Sequence, residues 1–168
     1  MKHGPDPAAL AAEAASAAAR RREQYPALVA AGRIGAEDAA EEIRIWSAIA
    51  ADWAWVAGHS GAGLVDGTTP AERAQACAVS VSRFDRTLAK AIAQAPDAVR
   101  ADCTEGRNLA DLRAAHGEAV APILAILAQR DAIEAMRDLY RAPHSFAALA
   151  RLRAEQAARQ DSPESIAA

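Results

Sequence analysis

Alanine makes up roughly three residues in ten of this chain, and that excess restricts its fold more than any other feature of the sequence. Alanine is the strongest helix former because its methyl group loses no rotamer freedom in a helix. Aromatic residues account for only 4% of the chain, and no segment shows the alternating pattern of a half-buried strand. We therefore predict an all-α protein.

A chain of 168 residues fits one domain, because at that length about 70% of the unfolded surface can be buried. Apolar residues at helical spacing, separated by proline and glycine, predict a single-domain bundle of five to six helices. We divide the chain into a disordered N-terminus (1–6), a helical hairpin (7–57), a glycine-rich loop (58–69), a helical bundle (70–160) and a disordered tail (161–168), with 7–160 as one folded domain.

Two helix starts are marked by their capping residues. Asp6 accepts hydrogen bonds from free amide groups, and Pro7 loses no bond at the first helical position. Thr69 and Glu72 have the spacing of a capping box, in which each side chain bonds the other residue's backbone amide. We therefore expect helices to begin after Asp6 and after Thr69.

The segment from Gln24 to Ile43 has the pattern of two helices folded back on each other. Pro26 removes a backbone donor and disfavours helical geometry at the preceding residue, so the first helix should kink there or restart. Gly32 supplies a left-handed stop, and the second helix starts after Gly35 with acidic residues that favour its positive end. The pattern predicts a helical hairpin.

The same region, Arg21–Ile43, reads RREQYPALVAAGRIGAEDAAEEI and resembles the short helical hairpins of SHOCT-type modules. It is closer still to hairpins with a Tyr-Pro-x-x-Val-x-x-Gly-Arg core in prophage-borne proteins. Gly35 departs from that pattern, since such hairpins carry serine or threonine there. The resemblance implies a non-enzymatic interaction or oligomerisation element from a phage or mobile element, and it implies no catalytic residue.

The net charge of −3 removes the general attraction to phosphate groups on which most nucleic-acid-binding proteins depend, so we expect no general binding of nucleic acid. The two cysteines, Cys77 and Cys103, form at most one disulfide, which fits a reducing compartment better than a secreted scaffold. The N-terminal segment is neither apolar enough nor free of acids to be a signal peptide or a membrane span. We predict a cytoplasmic protein that does not enter membranes.

Arg20, Arg21 and Arg22 form the densest basic cluster of the sequence. Basic residues commonly lie near helix ends because they offset the negative carbonyl terminus. The alternative is a contact with phosphate or with a partner, and this would require the arginines to lie beside a recognition helix in a symmetric dimer. The sequence leaves both interpretations open.

Trp46, Trp53 and Trp55 lie within ten residues of one another. Helical geometry places Trp46 and Trp53 on one face, whereas Trp55 points about 200° away from Trp53. Burying all three in a monomer requires an enclosed helix. The tryptophans are therefore either core residues or, in part, a surface for a partner.

The segment GHSGAG, Gly58–Gly63, is similar to the turn that presents the nucleophilic serine of many lipases and esterases. Ala62 occupies the position where that motif has glycine, and the predicted fold has no sheet to hold a triad. The same stretch lacks the lysine and hydroxyl of a phosphate-binding P-loop. A hydrolase that uses Ser60 is therefore the third of our functional hypotheses.

No metal or cofactor site is predicted. The residues of the sequence most similar to a zinc site are Cys77, Cys103, His116 and His144. They lack the closely spaced ligand pairs by which zinc sites are recognised. No carboxylate stands alone in an apolar run as a catalytic acid would.

The leading hypothesis is a non-enzymatic helical protein that binds an unidentified protein partner or copies of itself. The alternative is a DNA-associated regulator or packaging factor, which the three arginines and the phage-like hairpin suggest. We assign no catalytic residues. The residues predicted to mediate interaction are Arg20, Arg21, Arg22, Tyr25, Pro26, Trp46, Trp53 and Trp55.

Overall fold

A computed structural model describes residues 6–59 and 67–160, and in these two ranges the chain forms seven α-helices, one 3₁₀ turn and no β-strand. The predicted all-α class is confirmed. The helix count exceeds the predicted five to six by one because Gly106 divides the segment before residue 117 into two short helices. The helices are α1 (Pro7–Ala30), α2 (Ala36–Val56), α3 (Pro70–Gln94), α4 (Asp97–Thr104), α5 (Leu109–His116), α6 (Ala121–Arg141) and α7 (Ser145–Gln160), and the 3₁₀ turn is Gly117–Ala119.

Parts of three predicted regions lie outside the described residues. These are most of the predicted disordered N-terminus (1–5), the middle of the glycine-rich loop (60–66) and the predicted tail (161–168). The loop includes Ser60, so the hydrolase hypothesis stays a prediction. Within the described ranges, no helix combines the length and apolar character needed to cross a membrane.

Both predicted helix starts are confirmed by the capping contacts. Asp6 Oδ1 accepts a hydrogen bond of 3.1 Å from the amide of Ala8. The Thr69 hydroxyl accepts from the amide of Glu72, and the Glu72 carboxylate accepts from the amide of Thr69, which completes the capping box. Caps of this kind stabilise a helix by about 1 kcal/mol each, because they satisfy amides that have no partner within the helix.

The hairpin of α1 and α2 forms as predicted except at Pro26. Gly32 has a left-handed φ of 66°, and the amide of Arg33 donates to the carbonyl of Leu28, which closes the end of α1. Pro26 lies inside α1, and no second helix restarts after it. Of the two predicted alternatives, a kink or a restart, the restart is therefore wrong, because the packing of α1 on α2 outweighs the loss of one backbone hydrogen bond.

The main core joins two antiparallel helix pairs, α1 with α2 and α3 with α6, and α7 packs on α2 and α6. Ala14 and Ala17 of α1 are completely buried, so their methyl groups allow α2 to approach closely. α2 supplies the large side chains Trp46 and Trp53, and this alternation of small and large residues fills the space between the helices.

A second, smaller core lies along α3 and α6 beside α4 and α5. It is formed by the buried residues Val99, Leu112, Val120 and Ile123. α4 and α5 have only 8 residues each, too few for a stable isolated helix, so their structure depends on this packing.

A buried ion pair connects α2 and α3 inside the main core. Asp52 and Arg73 approach to 3.0 Å with fully buried side chains, and the Tyr140 hydroxyl donates to Asp52 at 2.7 Å. The guanidinium of Arg73 also donates to the Thr68 hydroxyl and lies 4.9 Å from the ring centre of Phe146. The expectation that no carboxylate stands alone in an apolar run was wrong, since Asp52 lies between alanine and tryptophan in α2.

Removing one member of this pair should destabilise the fold strongly. Arg73→Ala leaves the Asp52 carboxylate buried without its counter-charge, and we expect the free energy of unfolding to fall by about 3–5 kcal/mol. Arg44→Ala removes an exposed arginine that pairs with Glu41, and it should change stability little. Urea denaturation of both variants tests this prediction, and equal losses for the two would contradict it.

Candidate functional site

Two of the three predicted tryptophans are core residues. Trp46 is 0% exposed and Trp53 is 1% exposed, and both lie in the main core between the helix pairs. Trp55 is partly buried and packs against the same core from its edge. In the folded chain, Trp55 is therefore the one tryptophan of the three that retains surface for a partner.

The three predicted arginines do not share one exposed face. Arg20 forms an ion pair of 2.8 Å with Glu13, and the exposed Arg22 donates to the hydroxyl of Ser47. Arg21, by contrast, is only 8% exposed and turns into the protein. Helical geometry spreads consecutive residues by about 100° each, so a run of three covers more than half of the helix circumference.

Arg21 joins three helices through its guanidinium. It donates to the carbonyl of Ala17 in α1 at 2.9 Å, to the hydroxyl of Ser80 in α3 at 2.9 Å and to Glu42 in α2 at 3.2 Å. The same group lies over the ring of Trp46, 4.2 Å from its centre, which adds a cation–π contact. Arg21 is therefore fixed in position.

Glu42 is the common acceptor of this network. The hydroxyl of Tyr25 donates to its carboxylate, and Arg83 pairs with its second oxygen at 3.3 Å. Partial burial raises the pKa of Glu42, but the hydrogen bond from Tyr25 and the charges of Arg83 and Arg21 outweigh burial, and the pKa lies below its ordinary value of 4.5. Burial raises the pKa of Tyr25, and the hydrogen bond to Glu42 raises it further, whereas Arg83 and Arg21 act in the opposite direction and only partly offset this rise.

A groove with a volume of about 370 Å³ opens beside this network, between α1, α3 and α6. We call it the arginine groove. Phe84 and Ile133 contribute apolar side chains to it. Its polar wall consists of Arg20, Arg21, Gln24, Tyr25, Ser80, Arg83 and Thr87.

Three of the residues predicted to mediate interaction, Arg20, Arg21 and Tyr25, thus line one groove. Ser80 and Arg83, which were not predicted, line it too. The role of Glu42 was not predicted from the sequence, because an acid in the first turns of a helix is explained equally well by the helix dipole. For Ser80 and Arg83, the available signal was their spacing: residues three apart lie on one face of a helix, so the two side chains were expected to be neighbours on α3.

A second surface lies where α5 meets α6, and we define the α5–α6 surface by Leu109, Arg113, Leu124, Ala128 and Asp131. Leu109 is 50% exposed, which is unusual for a leucine. The surface contains one depression of about 570 Å³ and an adjoining one of about 470 Å³, which share Arg113, Leu124 and Ala128. It is therefore a continuous and mainly apolar area.

Local sequence holds Leu109 in this exposed position. Asn108 caps α5 by accepting from the amide of Asp111, so Leu109 is the first residue of the helix. Leu112, one turn later, is buried in the second core. His116 at the other end of α5 contacts Asp102 of α4 at 2.7 Å, so α5 is fixed at both ends.

Val79 is the other large apolar residue that is strongly exposed in the described part of the chain, at 39%. It borders a shallow apolar groove of about 420 Å³ between α2 and α3, together with Ile45 and Ala76. Charged residues, Glu42 and Glu72, also line that groove. Val79 therefore lies among Ile45, alanines and two glutamates, whereas Leu109 lines the same depression as a second leucine, Leu124.

The four candidate metal ligands, Cys77, Cys103, His116 and His144, do not come together as one site. Within the described ranges, no group of three or more histidine, cysteine, aspartate or glutamate residues is close enough to hold a metal ion. Cys77 and Cys103 are free thiols. Burial raises the pKa of the Cys77 thiol to about 12, and burial followed by the charge of Asp102 raises that of Cys103. Neither thiol is activated as a nucleophile.

Comparison of the chain with protein-family models, with curated proteins and with solved structures gives no match.

The pKa of Glu42 predicts a pH-dependent contribution to stability. Because its pKa is lower in the folded chain, the carboxylate stabilises the fold above about pH 4.5, and this contribution is lost as the pH falls through the folded pKa. Glu42→Gln should therefore be less stable than the native chain at pH 7, and the difference should narrow below pH 4.5. Glu41→Gln, which alters an exposed neighbour outside the network, is the control. A difference that is constant down to pH 3 would contradict the prediction.

The two thiols should react at different rates with an alkylating reagent. Cys77 is completely buried and Cys103 is half-buried, so iodoacetamide should modify Cys103 first in the folded protein. Cys77 should react only after denaturant unfolds the chain. Mass spectrometry of digested protein identifies the modified residue, and the Cys103→Ser variant should remain unlabelled until it unfolds. Equal labelling of both thiols without denaturant would refute this expectation.

Proposed function

We propose that this protein acts by binding protein, and that it associates with a second copy of itself through the α5–α6 surface. The observation that carries the proposal is the exposed Leu109, which lies beside Leu124 at the edge of a broad apolar depression. Contact of apolar side chains with water is unfavourable, and an exposed apolar area with a polar rim commonly marks a site of contact with another protein. A partner that covers Leu109 would remove this area from water.

The charges around this surface favour a second copy as the partner. Arg113 and Asp131 both border the first depression, so the surface carries both signs of charge. In a two-fold symmetric dimer the same patch meets itself, and Arg113 of one copy can face Asp131 of the other. The two depressions of this surface are also lined by Ala110, Ala114, Ala121 and Ala125. Because alanine buries little area, we expect a reversible dimer rather than an obligate one.

The alternative functions find less support. A DNA-binding face would need several exposed arginines without counter-charges, whereas Arg21 is buried and both Arg20 and Arg21 contact glutamates. Two cysteines are too few for a disulfide-rich secreted scaffold, and on this ground we propose a cytoplasmic location. An origin in a phage or mobile element stays a prediction from the hairpin sequence.

The two exposed apolar residues provide a matched pair of variants for the dimer. Leu109→Glu places a charge in the proposed interface, and we expect it to abolish association because a buried unpaired charge is unfavourable. Val79→Glu introduces the same charge on a different surface and should leave association unchanged. Light scattering coupled to size-exclusion chromatography, over a wide concentration range, measures the mass of each protein.

Two results would overturn this proposal. One is a native chain that stays monomeric at every concentration, and the other is a dimer that Leu109→Glu does not affect. Dissociation by Val79→Glu instead would assign the interface to α2 and α3. Circular dichroism of both variants should show native helix content, since both substituted side chains are exposed.

A further inference from the structure

We propose that the arginine groove is a binding site for a small organic anion, one that joins a carboxylate or phosphate group to an apolar body. This site shares no residue with the α5–α6 surface, so it would exist in a monomer as well as in a dimer. The groove combines an excess of positive charge, guanidinium donors held in position and two apolar side chains.

The groove has more positive than negative charge. Three guanidinium groups line it, those of Arg20, Arg21 and Arg83. Two carboxylates in the described part of the chain contact them, Glu13 at Arg20 and Glu42 shared by the other two. One positive charge is therefore left over, and it lies in a concave site where water is partly excluded and an anion would be attracted.

The donors of the groove are already in place for an anion. Arg21 is held by Ala17, Ser80 and Glu42, so it needs no reordering when a ligand binds. The side chain of Arg83 is 47% exposed and contacts both Glu42, at 3.3 Å, and the hydroxyl of Tyr25. Because a guanidinium has five N–H donors, those of Arg83 that face solvent are available to an incoming oxyanion. A guanidinium of this kind binds carboxylate and phosphate oxygens in pairs.

The apolar side chains define the rest of the ligand. Ile133 and Phe84 also line the groove, and unlike the arginines they are apolar. A bare inorganic ion would leave them in contact with water, whereas a ligand with an aromatic or aliphatic body would cover them. The volume of about 370 Å³ lies at the lower end of the range of small-molecule sites, so a ligand the size of a substituted benzene ring fits.

Titration of the full chain with four probes at constant ionic strength tests the site. Benzoate and phenyl phosphate carry an apolar ring, while acetate and inorganic phosphate are the matching ions without one. We expect saturable binding of the ring-bearing probes, about tenfold tighter than that of their bare counterparts. Whichever of benzoate and phenyl phosphate binds more tightly shows whether the site prefers a carboxylate or a phosphate group. Calorimetry measures the affinity of each probe.

Three variants locate the binding to this groove. Arg83→Gln removes the exposed guanidinium and should weaken binding about tenfold or more, because hydrogen bonds to charged groups are strong. Arg86→Gln, an exposed arginine of the same helix outside the groove, should bind as the native chain does. Glu42→Gln removes the internal carboxylate that competes for Arg83, so it should bind the probes several-fold more tightly.

The proposal is wrong if none of the four probes gives saturable binding, or if acetate and phosphate bind as tightly as the ring-bearing probes. It is also wrong if Arg83→Gln and Arg86→Gln weaken binding equally. Thermal melting of each variant establishes that it is folded. Should Arg83→Gln prove unfolded, Arg20→Gln removes another guanidinium of the groove and should weaken binding in the same direction.

Discussion

The guanidinium of Arg21 is the contact on which the arrangement of the first three helices depends. An alanine-rich helix such as α1 buries little apolar area, so its position on α2 is weakly determined by burial alone. Arg21 adds directed contacts to Glu42 and Trp46 of α2 and to Ser80 of α3. Alanine brings the helices close together, and the buried arginine determines how they align.

The Asp52–Arg73 pair has the same role deeper in the core. It connects α2 to α3, and the hydroxyl of Tyr140 adds α6 to the network. Buried pairs of this kind contribute little net stability but make misaligned packings costly, because a misaligned packing leaves a charge without its partner. Both networks therefore select one packing among the many that a core rich in alanine and poor in large side chains would allow.

Local sequence signals predicted the helices, whereas contacts between distant residues escaped prediction. Asp6, Gly32 and Thr69 act through backbone groups within a few residues, so their effects are visible in the sequence. The partners Arg21 and Ser80 are 59 residues apart, and nothing local connects them. At Pro26 a local signal is misleading: proline disfavours a helix interior, but α1 continues past it because packing against other helices overrides that preference. The candidate site was predicted in part: Arg20, Arg21 and Tyr25 line the groove, while Trp46 and Trp53 belong to the core.

The arginine groove and the α5–α6 surface are on opposite sides of α6. Ile133 borders the groove and Leu124 borders the α5–α6 surface, and nine residues of α-helix correspond to a rotation of about 180°. A ligand in the groove would therefore not block a second copy at α5–α6. Helix α6 contributes residues to both sites, so any effect of binding at one site on affinity at the other would pass through α6. Because the two surfaces share no lining residue, a substitution confined to one surface should act on that surface alone.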